Sequence, residues 1–238
     1  AKRQAREEQA RLNAPKVSLT EKNEKIEYLE LPEERISFLI KDILVECDID
    51  KFERLKTIIA PYENHRMGVQ GINIVAKVLS DHIIAEGYVT TRVVVPEQDL
   101  SSGLLRLKII PGYIQDIRFE KPDTYGTWRN AFPTAKGDVL NIRRLEQGLE
   151  QMKRIPNQDA DMKLLPGTEP GETEIVLNIK RTKPWLLGFS VDDSGIESTG
   201  RLQAGISAAI YNPSGLNDVI SYNYGKDAAH NDRNYGSD

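Results

Sequence analysis

Two runs decide how this chain reads: Trp185-Leu186-Leu187-Gly188-Phe189-Ser190-Val191-Asp192 and Leu202-Gln203-Ala204-Gly205-Ile206-Ser207-Ala208-Ala209-Ile210-Tyr211. In the first, Trp185, Leu187, Phe189 and Val191 share one face and Leu186, Gly188, Ser190 and Asp192 the other. In the second, Leu202, Ala204, Ile206, Ala208 and Ile210 alternate with Gln203, Gly205, Ser207, Ala209 and Tyr211. A period of two marks a strand with one apolar face. Residues 192–200 read as the turn between the two runs. Asn212-Pro213-Ser214-Gly215-Leu216-Asn217-Asp218 reads as a second turn, after which Ile220, Tyr222 and Tyr224 oppose Ser221, Asn223 and Gly225. Alternating strands joined by tight turns are what a membrane β-barrel needs.

Outward from these strands the chain changes character. Of 238 residues 29% are charged, and the mean hydropathy is -0.47. No apolar run approaches the roughly 20 residues of a spanning helix, so a place in a bilayer rests on strands alone. Net charge is -4, from Lys+Arg 32 against Asp+Glu 36. That balance argues against a nucleic-acid partner, which needs a clustered positive field. Cys47 is the single cysteine, so no internal disulfide forms and the redox compartment stays open. Residues 1–12 are charged throughout and do not read as a signal peptide, as is also true of a processed exported chain.

Residues 1–15 are rich in helix formers and end at Pro15; a frayed polar terminus and a polar helix lying in a wet cavity are both compatible with them. Residues 16–35 read as a linker. From Ile36 to Cys47 an apolar run predicts a strand. Asp50 and Glu53 resemble a capping pair for a helix burying Phe52, Leu55, Ile58 and Ile59 and ending at Pro61. A second helix places Ile72, Val75, Leu79 and Ile83 on one face, with Gly87 as a left-handed cap. Strands 88–95 and 104–110 come next, stopped by Pro96 and by Pro111-Gly112. The order strand, helix, helix, strand, strand then repeats: a strand over 114–120, a short helix over 127–132, and a helix capped by Asn141 with Ile142, Leu145, Leu149 and Met152 on its apolar side. Strands over 160–165 and 173–180 complete the copy. The fold class is α+β, with two small sheet-and-helix units in tandem ahead of the barrel-like strands.

Catalytic patterns are sparse. Asp193-Ser194-Gly195 after an apolar strand has the local form of an aspartic protease loop, but a hairpin turn accounts for it. His65, His82 and His230 have no second His or Cys at ligand spacing. Glycine-rich phosphate loops are missing, and Cys47 in a strand reads as an inert buried thiol. Neither an enzyme, nor a cofactor, nor a metal site is expected.

The motifs carry a resemblance. The stretch Leu140-Asn141-Ile142-Arg143-Arg144-Leu145-Glu146-Gln147-Gly148-Leu149-Glu150-Gln151-Met152, followed by Arg154-Ile155-Pro156-Asn157-Gln158-Asp159-Ala160 and Pro166-Gly167, resembles the outer-membrane transporters of two-partner secretion, the haemolysin-activator and filamentous-haemagglutinin-transporter family. Asp193, Ser194 and Gly195, then Asn212, Pro213, Gly215 and Asp218, match that family's first barrel turns. The resemblance implies a plug-like helix over 1–15 and a linker over 16–35. It implies polypeptide-transport-associated (POTRA) domains over 36–112 and 113–182, and the opening of a transmembrane barrel over 183–238. The family's barrel is much longer, and an open three-stranded sheet leaves edges that lipid cannot satisfy, so a fragment is expected. Some family members pair two cysteines in the first POTRA unit, whereas Cys47 stands alone.

The function implied is binding. In the POTRA order the first strand after the helices lies at a sheet edge, here Tyr88, Val89, Thr90, Thr91, Arg92, Val93, Val94 and Val95, with Ile83 and Ile84 of the preceding helix lining a groove beside it. An edge reads the backbone of an incoming extended chain with little demand on sequence; a guarded edge over an ordinary core fits the same residues. The resemblance implies a secreted partner carrying an N-terminal secretion domain, bound in extended form, a barrel in outer-membrane lipid, and a bacterial outer-membrane location with this part mainly periplasmic. A POTRA-containing barrel-assembly insertase and a stand-alone peptide-binding module remain the alternatives.

Overall fold

The computed structural model describes residues 30–192, 203–227 and 234–235, in two bodies: one of 30–182 with Ser214–Asn217, the other of 183–192, 203–213, 218–227 and 234–235. The expected plug helix over 1–15, most of the linker, and Asp193, Ser194 and Gly195 lie outside the described residues.

In the larger body the expected strand over 36–47 is two strands. β1 (Phe38–Ile40) pairs antiparallel with β3 (His65–Met67), while β2 (Asp42–Glu46) pairs parallel with β5 (Leu104–Ile110). The break falls at Lys41, whose N–H donates to the Gly103 carbonyl at 2.7 Å. Both halves are apolar, so hydropathy alone hides the change of sheet. The first helix is likewise shorter than expected. Asp50–Leu55 is a 3-10 helix, α1 is only Lys56–Ile59, and Ala60–Tyr62 is again 3-10. Pro61 opens that last turn rather than ending a helix, at a position where its missing N–H costs nothing. The buried side is still Phe52, Leu55, Ile58 and Ile59; the side chains of Asp50 and Glu53, the expected capping pair, lie outside the described set.

α2 (Val69–Ala85) buries Ile72, Val75, Leu79 and Ile83 as its spacing predicts. Its N-terminus is capped from outside the helix: the Gly68 and Gly71 N–H groups donate to Glu34 Oε1, each at 2.9 Å, and Gln70 N–H to Glu34 Oε2 at 3.1 Å. A Cβ on Gly68 would strike the Ile36 carbonyl and the Glu34 carboxylate, so glycine permits the approach. β4 (Arg92–Val94) pairs antiparallel with β5, giving the sheet order β2-β5-β4 over a core that includes Leu105, Leu107 and Ile109. Each such fully buried side chain contributes about 1.5–3 kcal/mol.

The second unit repeats the sheet but not both helices. β6 (Tyr113–Phe119) runs parallel to β8 (Glu172–Arg181), and β7 (Gln158–Pro166) runs antiparallel to β8 at the other edge. α3 (Ile142–Lys153) opens on Asn141, whose Oδ1 accepts from Arg143 N–H at 3.0 Å, and buries Leu145, Gly148 and Met152. The expected helix over 127–132 is a turn in which the Ala131 and Phe132 N–H groups both donate to the Trp128 carbonyl. Aromatic packing explains it. Phe132 is buried, meets Trp128 edge to face at 6.2 Å, and takes the space a Cβ on Gly148 would need.

The smaller body is an antiparallel meander of β9 (Trp185–Asp192), β10 (Gln203–Tyr211), β11 (Val219–Asp227) and β12 (Asn234–Tyr235). The short β12 has no counterpart in the strands expected from alternation. Register puts Phe189, Ile206 and Tyr224 in one row and Trp185, Ile210 and Ile220 in another. These six are exposed, Phe189 at 74%. Gly188, Ser207 and Asn223 occupy the opposite face. No helix among the described residues is long and apolar enough to cross a membrane. This sheet therefore carries one continuous apolar face built from strands, the form a barrel wall takes.

Candidate functional site

The edge strand β4 is shorter than the sequence predicts, because 88–91 close the end of α2. Gly87, at φ +99, donates its N–H to the Ile84 carbonyl, and Tyr88 donates to Ile83 at 3.1 Å. That pair of bonds is the glycine-dependent helix stop known as the Schellman motif. Tyr88 then packs edge to face on Phe52 at 5.0 Å. Thr91 is buried, its N–H donates to the Tyr88 carbonyl at 3.1 Å, and its hydroxyl accepts from Gly112 N–H at 3.4 Å. Tyr88, Val89, Thr90 and Thr91 are thus turn rather than strand. Ile83 is fully buried core rather than groove wall, whereas Ile84 is 45% exposed.

What remains is Arg92, Val93 and Val94, with Val95 beyond. Their direction is fixed by Gln98, whose side chain mimics a strand: Nε2 donates to the Arg106 carbonyl at 2.9 Å and Oε1 accepts from Arg106 N–H at 2.7 Å. The Arg106 backbone therefore faces the β4 side, and alternation along β5 turns Lys108 and Ile110 the same way. Their partners Val94 and Arg92 bond inward, which leaves the Val93 N–H and carbonyl pointing away from the sheet. Among the described residues no group meets them. Ile84, Val89 and Val94, all at least 40% exposed, add apolar surface around this edge.

The 140–152 motif has a structural role that the sequence does not announce. Three carbonyls at the end of α2 are satisfied by the start of α3: Ala85 accepts from Arg143 Nη2 at 2.6 Å, Glu86 from Asn141 Nδ2 at 3.1 Å, and Gly87 from Ile142 N–H at 2.8 Å. The negative end of one helix dipole meets the positive end of the next. Asn141 caps its own helix and clasps the neighbouring unit at once. Spacing reveals the first task but not the second.

Of the other candidates, Asn212, Pro213, Gly215 and Asp218 form the second turn. Asn212 N–H donates to the Asp218 carbonyl at 2.6 Å, and Asn212, Gly215 and Asn217 take φ values of +54, +80 and +59. Within the larger body Gly215 accepts from Thr127 N–H at 2.9 Å, and Asn217 Nδ2 donates to the Thr127 carbonyl at 2.9 Å. Burial pushes the half-buried Cys47 thiol up, so it stays neutral. His82 lies 3.5 Å from Glu86, and His230 is outside the described residues. Among the described residues no three His, Cys, Asp or Glu side chains are placed to hold a metal ion.

Comparison with known proteins agrees with the fold. Residues 38–112 match the model of the POTRA domain, ShlB-type, residues 113–166 that of the POTRA domain, and residues 171–238 that of the haemolysin secretion/activation protein ShlB/FhaC/HecB. The outer membrane transporter CdiB-2 of Burkholderia pseudomallei (strain 1026b) is 49% identical over 79% of this chain and 32% of its own length. The hemolysin transporter protein ShlB of Serratia marcescens is 34% identical over 64% of this chain and 27% of its own. The solved structure of CdiB from Escherichia coli superposes with a TM-score of 0.70 at 30% identity, covering 84% of this chain and 38% of that one. The chain thus spans about a third of the length of the curated relatives it matches. With two POTRA units and the opening strands of a barrel in unbroken order, it belongs to the two-partner secretion transporters of the ShlB/FhaC/HecB family.

Proposed function

We propose that this chain is the periplasmic part, with the first barrel strands, of an outer-membrane transporter that captures an unfolded secreted partner and passes it to a β-barrel pore. The units over 36–112 and 113–182 do the capturing and presenting, and the strands from 183 onward, with their apolar face to lipid, begin the pore wall. Nothing chemical is done to the partner; the transporter binds and threads it. The partner's N-terminal secretion domain adds as an extended strand to β4, pairing with the outward backbone of Val93 while its side chains rest on Ile84, Val89 and Val94.

One observation carries this reading: the backbone of Val93 points out of the sheet with no partner among the described residues, beside exposed apolar side chains. Strand addition at such an edge takes any sequence that can lie extended, which suits a cargo that arrives unfolded. The test is Val93→Pro in the full-length transporter. Proline is tolerated at an edge but cannot donate. Binding of a cargo secretion-domain peptide should weaken about tenfold, the worth of one or two net hydrogen bonds. Unchanged affinity in a calorimetric titration of a folded variant rejects the site.

A further inference from the structure

The second unit offers a longer edge, and it is closed. β7 lies at the rim of the order β6-β8-β7, spans nine residues against the three of β4, and exposes Leu164 and Leu165. By length and hydropathy it is the better template for an incoming strand. Its donors tell otherwise. The even-numbered residues share one direction along the strand. Gln158 N–H donates back to the Ile155 carbonyl at 3.0 Å. Ala160 N–H donates to Asp159 Oδ1 at 3.0 Å, and Met162 N–H to Asp161 Oδ1 at 2.9 Å. Pro166 has no N–H to offer. Among the described residues this leaves Leu164 N–H as the open donor of the set.

We infer that Asp159 and Asp161 are specificity-determining residues that shut the β7 edge against strand addition by an extended polypeptide. Each carboxylate folds onto the N–H of the next residue and occupies the site an incoming carbonyl would take. Because the bonds are local, the guard forms with the strand itself and needs no other segment. The inference rests on the strand-addition reading of the transporter but not on β4 being the receiving strand.

The experiment places a photo-crosslinking amino acid at Arg92 or at Leu165 in the full-length transporter and exposes it to a synthetic peptide of alternating valine and threonine with a soluble tail. In the otherwise unaltered protein the crosslink is expected at 92 and not at 165. Asp159→Ala with Asp161→Ala should raise crosslinking at 165 about tenfold, since two engaged donors are released. Asp159→Asn with Asp161→Asn should leave 165 silent, because an amide oxygen still accepts the same N–H; this separates the hydrogen bond from the charge. If 165 crosslinks equally with and without the alanines, or stays silent in an alanine variant that still crosslinks at 92, the guard is overturned. If 92 is silent throughout while 165 responds to the alanines, the guard stands and β4 is rejected as the receiving strand. The single variants D159A and D161A, each releasing one donor, supply the same readout if the double variant fails to fold.

Discussion

The two POTRA units end in edges of opposite kind. β4 is three residues long and open at Val93; β7 is nine residues long and offers no free N–H at four of its five outward positions. Edge length alone would favour β7. What an edge can do depends on where its alternate N–H groups are already committed, and in β7 the chain's own aspartates, a turn and a proline commit them. Among the described residues the shorter strand is the one that keeps an outward N–H and carbonyl free, at Val93.

The largest effect should come from the central strands beneath these edges. Leu107→Ala in β5 and Ile175→Ala in β8 each remove a fully buried side chain and should cost about 2–5 kcal/mol of stability. Only the first should abolish peptide capture, as followed by denaturant titration with and without peptide; equal loss of capture in both would erase the distinction between the units. Proline substitutions come next. Leu164→Pro in β7 should leave capture unchanged, in contrast to Val93→Pro. Thr91→Pro breaks the bond to the Tyr88 carbonyl and should cost about 1–3 kcal/mol, visible as a lowered Tm, so it reports on the helix stop rather than the edge. Asn141→Ala should cost about 1 kcal/mol as a lost cap and broaden the spin-label distance between Lys77 and Glu146, because the clasp on Glu86 goes with it.

The smallest effect is a pH dependence at Glu34. The Gly71 N–H does most to hold its carboxyl below the ordinary glutamate range, desolvation opposing, with Gln70, Gly68 and Val69 adding to the lowering. A carboxyl with a depressed folded value contributes stability that is fully present above its unfolded value and lost as pH falls through the folded one. Wild type should therefore melt above Glu34→Gln at neutral pH, and the gap should close on acidification through and below the glutamate range. A gap that widens in acid contradicts the assignment.

Local chemistry was legible in the sequence and distant chemistry was not. The apolar face of the barrel strands, the buried stripe of α2, the left-handed Gly87 and the Asn141 cap each arise from residues within a turn or two of one another. Residues 88–91 mislead because Tyr-Val-Thr-Thr has strand propensity, while the helix stop set by Gly87 claims the backbone first. The run over 36–47 conceals a change of sheet because both halves are apolar. Residues 127–132 have helix-length spacing, yet Trp128 and Phe132 pack as aromatics. Glu34 and Arg143 are ordinary surface residues until the fold brings them to the two ends of α2. The guard on β7 is subtler still: Asp-Ala-Asp-Met is visible at 159–162, but nothing local says that this strand is an edge.

Glu34 and the clasp together make α2 a mechanical part. One end of the helix is tied to the segment entering the first unit, the other to the start of α3, and the ties consist of carboxylate or polar bonds to its free terminal groups. The segment entering the first unit is thus joined through this seventeen-residue helix to the start of α3 by bonds at both helix ends. In a force-extension measurement gripping residues 30 and 182, Glu34→Ala should release the leading segment at lower force while the rest of the unfolding trace is unchanged.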